Sequence, residues 1–184
     1  LYKFYIVIGL LMLISLFSEI FNNNKSVKKI IKLFKYLIFS GFIFHTIGLA
    51  FRWIASGHAP WSNGYESMIY TAWATLLSGI IFSKKSNFTL SATAIVGSLI
   101  LMFASMNWMD PTITNLVPVL NSYWLMIHVA IIVASYGFLF LGAILGLMCL
   151  WIIVFTNNEN KKKLKSIINS CLLYTSPSPR DVLR

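Results

Sequence analysis

The alternation of long apolar runs with short lysine clusters constrains this chain more than any other feature. "FYIVIGLLMLISLFSEIF", residues 4–21, and "YLIFSGFIFHTIGLAFRWIA", residues 36–55, each carry a single charged side chain. Three further runs follow, over about 66–83, 88–106 and 123–155. A bilayer's hydrocarbon core takes about 20 apolar residues to cross as a helix. Inside it every backbone polar group must be satisfied within the segment, which a helix achieves unaided. The five runs therefore predict an all-α polytopic integral membrane protein with about five transmembrane helices. The fifth is long enough to tilt, or to project beyond the hydrocarbon.

The polar segments between the runs sort by charge. "NNNKSVKKIIKLFK" carries five lysines, "KKSN" two and "NNENKKKLK" four, whereas 56–65 and 107–122 carry no Lys or Arg. Lysine-rich connections stay on the cytoplasmic side, so the N-terminus is expected outside. The net charge of +10 is thus a topological signal. It forms no basic stripe interleaved with base-stacking aromatics, and no nucleic-acid partner is expected. Hydrophobic residues at 58% and charged residues at 11%, against about 25% charged in soluble domains, agree with a lipid partner. Trp53, Trp61, Trp108, Tyr123 and Trp124 fall at the outer ends of runs, where an aromatic belt is expected without any further role.

Both ends read as incomplete. The first residue is Leu1, and "CLLYTSPSPRD", 171–181, looks like a translated sequencing-library adapter. The expected division is a transmembrane domain over 1–170 and a non-native tail over 171–184. That leaves Cys149 alone in an apolar run, with no disulfide and no thiolate metal site. "GAILG", 142–146, is a GxxxG that lets another helix approach. Walker, GxSxG and HExxH motifs are absent, and Asp110 before Pro111 reads as a turn.

Four groups remain for chemistry. His128 lies five residues into the fifth run, roughly 7–8 Å below its outer end, with Trp124 one turn away on the same face. It is either a metal or haem ligand, or an interfacial histidine bonded to a carbonyl. His45, at the middle of the second run, is a ligand, a proton relay or a satisfied core histidine. His58 sits in the polar knot "SGHAPWSNGYES", 56–67, as a solvated loop residue or part of a site. Glu66 suits the start of the third helix and can pair with Arg52; alternatively both meet a substrate's charged group.

The stretches "RWIASGHAPWSNGYESMIYTAW" and "NLVPVLNSYWLMIHVAIIVASYGFLFLGAILG" resemble the CcsA/ResC-type cytochrome c biogenesis proteins, the membrane half of a cytochrome c synthase. The resemblance covers about residues 30–155. It implies a site facing outward from the bacterial cytoplasmic membrane, where haem b is bound and presented to apocytochrome c for thioether attachment at CxxCH cysteines. It implies a CcsB/ResB-type partner subunit or fused domain. It places His128 as an axial haem ligand, while His58, Trp61, Tyr65 and Glu66 match a family signature that shapes either the haem chamber or the apocytochrome entrance. Trp124 beside His128 and Arg52, able to meet a propionate, are further candidates; His45, a weaker candidate, matches no ligand position of the family. The family's tryptophan-rich loop, second external histidine and further transmembrane histidine do not occur here; they are expected beyond the adapter-like tail. A small-molecule permease using His45 as a proton relay, and a partner subunit without a site, are the alternatives.

Overall fold

The structure is a computed structural model that describes residues 1–21, 25–83, 87–106, 111–113 and 122–155. Trp108, Asp110, the lysines of the second and third clusters and the tail 171–184 lie outside the described residues. Five helices run through the rest: α1 (Tyr2–Phe21), α2 (Lys25–Ser56), α3 (Gly64–Phe82), α4 (Asn87–Ser105) and α5 (Tyr123–Phe155). Four of them, all but α3, are long and apolar enough to cross a membrane. This is a multi-pass, all-helical membrane protein, as the runs of apolar residues imply.

The first lysine cluster is helical rather than a connector. Val27, Ile31 and Phe34 recur at i, i+4 and i+7 and pack on the core, so the lysines ride on the remaining faces of the first turns of α2. At its other end α2 stops at Gly57, whose φ of +69° is a left-handed conformation and whose N–H donates to the Trp53 carbonyl at 3.0 Å. That is a glycine C-terminal cap. A Cβ at Gly57 would meet nothing within 4 Å, so Gly57→Ala is expected to cost only the left-handed backbone strain, about 1 kcal/mol. Gly57→Asn should cost less, and thermal unfolding in detergent measures both.

α3 begins on a cap as well. Asn63 Oδ1 accepts the Glu66 N–H at 2.7 Å, satisfying a donor that the helix itself leaves open. Helices α1, α2, α3 and α4 close a ring of neighbours, and α5 packs on α3 and α4. In α4, 72% of the apolar window is buried against other helices; in α5 the figure is 11%. α4 is therefore the hub and α5 the outer layer. α3 is less apolar than its neighbours because it is enclosed: Thr71, Thr75 and Ser78 are buried. The three hydroxyls donate back to carbonyls of their own helix at 2.6–2.8 Å.

Small residues set the helix spacing. Gly79 of α3 faces the Thr93 side chain, and Gly97 of α4 faces Leu76 and the Ala72 carbonyl. On the α1 side of the hub, Ser91 donates to the Gly9 carbonyl at 3.0 Å. α5 approaches α3 at Gly137, where a Cβ would lie 3.0 Å from the Thr75 nitrogen and 3.1 Å from the Thr71 oxygen. The GxxxG stretch behaves differently. A Cβ on Gly146 would meet nothing within 4 Å, so no described helix occupies it.

Candidate functional site

The polar knot and the end of α2 converge at the end of the bundle that also holds Leu1 and the end of α4. Glu66 is fully buried and pairs with Arg52, Nε to Oε1 at 2.9 Å. Its second oxygen accepts the Ser62 backbone N–H at 3.0 Å. One carboxylate thereby clamps the loop entering α3 and neutralises a cation on α2. Arg52 also donates to the Pro111 carbonyl at 3.1 Å, and its guanidinium lies 5.0 Å from the centre of the Tyr65 ring. Arg52, Tyr65 and Glu66 thus act as one unit that ties α2, α3 and the segment before α5 together.

His58 lies half-buried in the same loop, with Nδ1 3.2 Å from the Ala59 carbonyl and its own carbonyl accepting from Ser56 at 2.9 Å. Trp61 donates from Nε1 to the Met126 carbonyl of α5 at 3.2 Å. It also starts an aromatic series that the sequence reading did not single out. Its ring lies 6.0 Å from Trp53 and 5.0 Å from Tyr70; Tyr70 stacks on Trp73 at 5.8 Å, and Trp73 on Phe42 at 5.6 Å. The signal available in sequence was the i, i+3 spacing of Tyr70 and Trp73 on α3. Because neither lies near a run's end, belt reasoning passed over them.

His128 and Trp124 stand apart from this cluster. Nine residues, about two and a half turns, separate His128 from Gly137, so it emerges on the side of α5 opposite the helix's packing face. Trp124 is 79% exposed, and His128 is also exposed. The stripe Trp124, His128, Ile131, Ser135 therefore faces away from the other described helices. It borders a groove of about 490 Å³ between α3 and α5, lined by Trp61, Tyr70, Ile127, Ile131, Ser135 and Phe138 among others. Ile131 and Ser135 belong to both.

His45 is in neither place. It is buried at 3% exposure and lines a cavity of about 380 Å³ with Leu49, Arg52, Tyr65, Ile69 and Leu101. The Ile69 backbone lies near, yet neither ring nitrogen makes a hydrogen bond of normal geometry, and the neighbouring Tyr5 hydroxyl also lacks a partner. Among the described residues no group of three or more His, Cys, Asp or Glu side chains could hold a metal ion.

These features define a helical membrane protein with a clamped loop at one end and an exposed imidazole on its outer helix. The chain belongs to the cytochrome c assembly protein family, whose sequence profile matches residues 61–175. It is similar to Protein NrfI of Wolinella succinogenes, 44% identical over 142 residues, covering 77% of this chain and 16% of that protein. It is also similar to the cytochrome c biogenesis protein CcsA of Guillardia theta, 35% identical over 72% of this chain and 44% of that one. The CcsA of Prochlorococcus marinus is likewise 35% identical, over 70% and 40%. The chain spans less than half the length of each of these relatives.

Proposed function

We propose that this chain serves cytochrome c biogenesis by holding haem at the loop-bearing end of the bundle and presenting it to apocytochrome c. One observation supports this reading above the others: in a chain of the cytochrome c assembly family, an exposed imidazole stands near the end of α5 on a face no described helix covers. His128 would give one axial bond to the haem iron. The apolar groove beside it, reached through Ile131 and Ser135, suits one edge of a flat macrocycle. Trp124, one turn away, would cover the ring from the His128 side. A second axial ligand would come from outside the described residues, and two axial imidazoles would tune the iron's potential.

Arg52 and Glu66 enter this reading as scaffold. Arg52 is engaged by Glu66, Tyr65 and the Pro111 carbonyl, so a haem propionate at this end would share the guanidinium with Glu66. The clamp fixes the loop bearing His58 and Trp61, and Trp61 in turn holds α5 two residues before His128. This end would face the outside of a bacterial cytoplasmic membrane, with the lysine-rich end inside. A CcsB/ResB-type partner and reduced CxxCH thiols would complete the thioether chemistry. A permease relaying protons through His45 draws no support from the family match.

The test is spectroscopic. The full-length gene product, purified with haem, is expected to show a six-coordinate bis-histidine absorption spectrum. His128→Ala should reduce haem retention by about tenfold or more at unchanged protein level, since losing even an outer-shell partner of a metal ligand costs about that much, and added imidazole should restore the spectrum. A colourless full-length protein, or a variant with an unaltered spectrum, would refute the reading.

A further inference from the structure

At the end of the bundle opposite the clamp, α2 carries Lys28, Lys32 and Lys35 at i, i+4 and i+7, one face extending about 10 Å along the helix. These three lysines line a groove of about 530 Å³ between α2 and the facing ends of α3 and α4. Lys35 donates from Nζ to the Ser83 carbonyl at 3.3 Å, which fixes one ammonium at the end of α3. Asn87, in the first turn of α4, adds an amide. Among the described residues no Asp or Glu lines the groove, so none of them offsets its charge. The connection from Ser83 to Asn87 carries two more lysines in sequence.

The rest of the lining has the opposite character. Ile31, Phe39, Ile80 and Leu90 supply an apolar floor. Phe39 is 49% exposed although it lies a full turn beyond the last lysine, toward the middle of the span. The groove thus has a cationic mouth at the level where headgroups begin and an apolar channel leading into the hydrocarbon. A small inorganic anion would satisfy the lysines and leave the channel uncovered. An acyl chain alone would fill the channel and leave the three ammonium groups without a counter-charge. Charge complementarity and the two-part lining together select an anionic amphiphile.

We propose that this groove is a binding site for an anionic phospholipid, with the phosphodiester held by Lys28, Lys32 and Lys35 and the upper acyl chain lying along Phe39, Ile80 and Leu90. The site is at the other end of the bundle from the haem-presenting surface, and it stands or falls without that reading. A bound lipid would seal the gap between α2 and the α3–α4 pair where the described helices leave it open. Lys25 and Lys29 lie on the same helix but do not line the groove, which gives a control that removes lysine charge outside the site.

The experiment uses the protein in nanodiscs of phosphatidylcholine doped with phosphatidylglycerol, with retained lipids counted by native mass spectrometry. Phosphatidylglycerol is expected to be retained over phosphatidylcholine. Lys28→Gln should weaken retention about fivefold, and Lys28→Gln/Lys32→Gln/Lys35→Gln on the order of a hundredfold, following the usual gain per basic residue at an anionic surface. The triple arginine variant should keep the lipid, which separates lost charge from lost folding. Lys25→Gln/Lys29→Gln should leave retention unchanged. Equal retention of phosphatidylcholine, or an equal loss in the Lys25/Lys29 control, would overturn the proposal. So would displacement of the lipid by inorganic phosphate alone or by haem.

Discussion

Glu66→Ala is expected to lower the stability of the bundle by about 3–5 kcal/mol, the range for removing one partner of a buried ion pair. The carboxylate is fully buried while Arg52 keeps 16% of its side-chain surface, so the penalty is concentrated on what Glu66 leaves behind. Without it, the Ser62 N–H loses its acceptor at a buried position, and Arg52 stays among Tyr65 and the Pro111 carbonyl with no counter-charge. The Asn63 cap survives, because it uses the backbone N–H of residue 66 and not its side chain. The loss therefore reports the clamp and not the start of α3. Arg52→Ala should be destabilising too, and Arg52→Ala/Glu66→Ala should be less destabilising than the sum of the two. Thermal unfolding of the purified variants in detergent gives the cycle. Strict additivity would show that the pair does not act as a unit.

That clamp was half legible in the sequence. The position of Glu66 at the mouth of an apolar run suggested a helix start, and Arg52 one short loop earlier suggested its partner; both are found. What the sequence could not supply was the third strand of the clamp, the Pro111 carbonyl, since pairing between residues separated by 59 positions depends on how the helices pack. The same limit explains α5. Its length and its start at Tyr123 were readable from apolar content and from the uncharged loop before it. The face it buries was not, because a helix apolar all round shows no stripe. GxxxG at 142–146 drew attention, whereas the close approach to α3 occurs at Gly137, a lone glycine with no motif around it. His128 was recognised by type and depth, but only the packing of Gly137 reveals that it points away from the bundle. The groove at the lysine end is hidden for a related reason: lysines between apolar runs give a topology signal whether the segment is a connector or, as here, the first turns of α2.

Gly79→Ala is expected to destabilise the α3–α4 pairing by about 2–3 kcal/mol, toward the upper end for overpacking by a single methyl. The added Cβ would fall 2.7 Å from Thr93 Cβ and 2.8 Å from its Cγ2, and nearer still to its hydroxyl. Turning the Thr93 side chain does not relieve this, because Cβ is fixed to the α4 backbone, and rotation would also break the bond from its hydroxyl to the Leu90 carbonyl at 2.9 Å. The helices must separate, and α4 is held on its other side by α1 through Ser91 and Gly9. Gly146→Ala provides the opposite sign. Nothing lies within 4 Å of a Cβ there, so only the intrinsic preference of alanine over glycine in a helix acts, a gain of about 1 kcal/mol or less. Thr93→Gly added to Gly79→Ala should recover much of the loss, since the three atoms nearest the new methyl all belong to the Thr93 side chain. Thermal unfolding of the three variants in the same detergent decides the matter. If Gly79→Ala is tolerated as well as Gly146→Ala, α3 and α4 do not depend on glycine contact at this level, and their spacing must be set elsewhere, at Gly97 against Leu76.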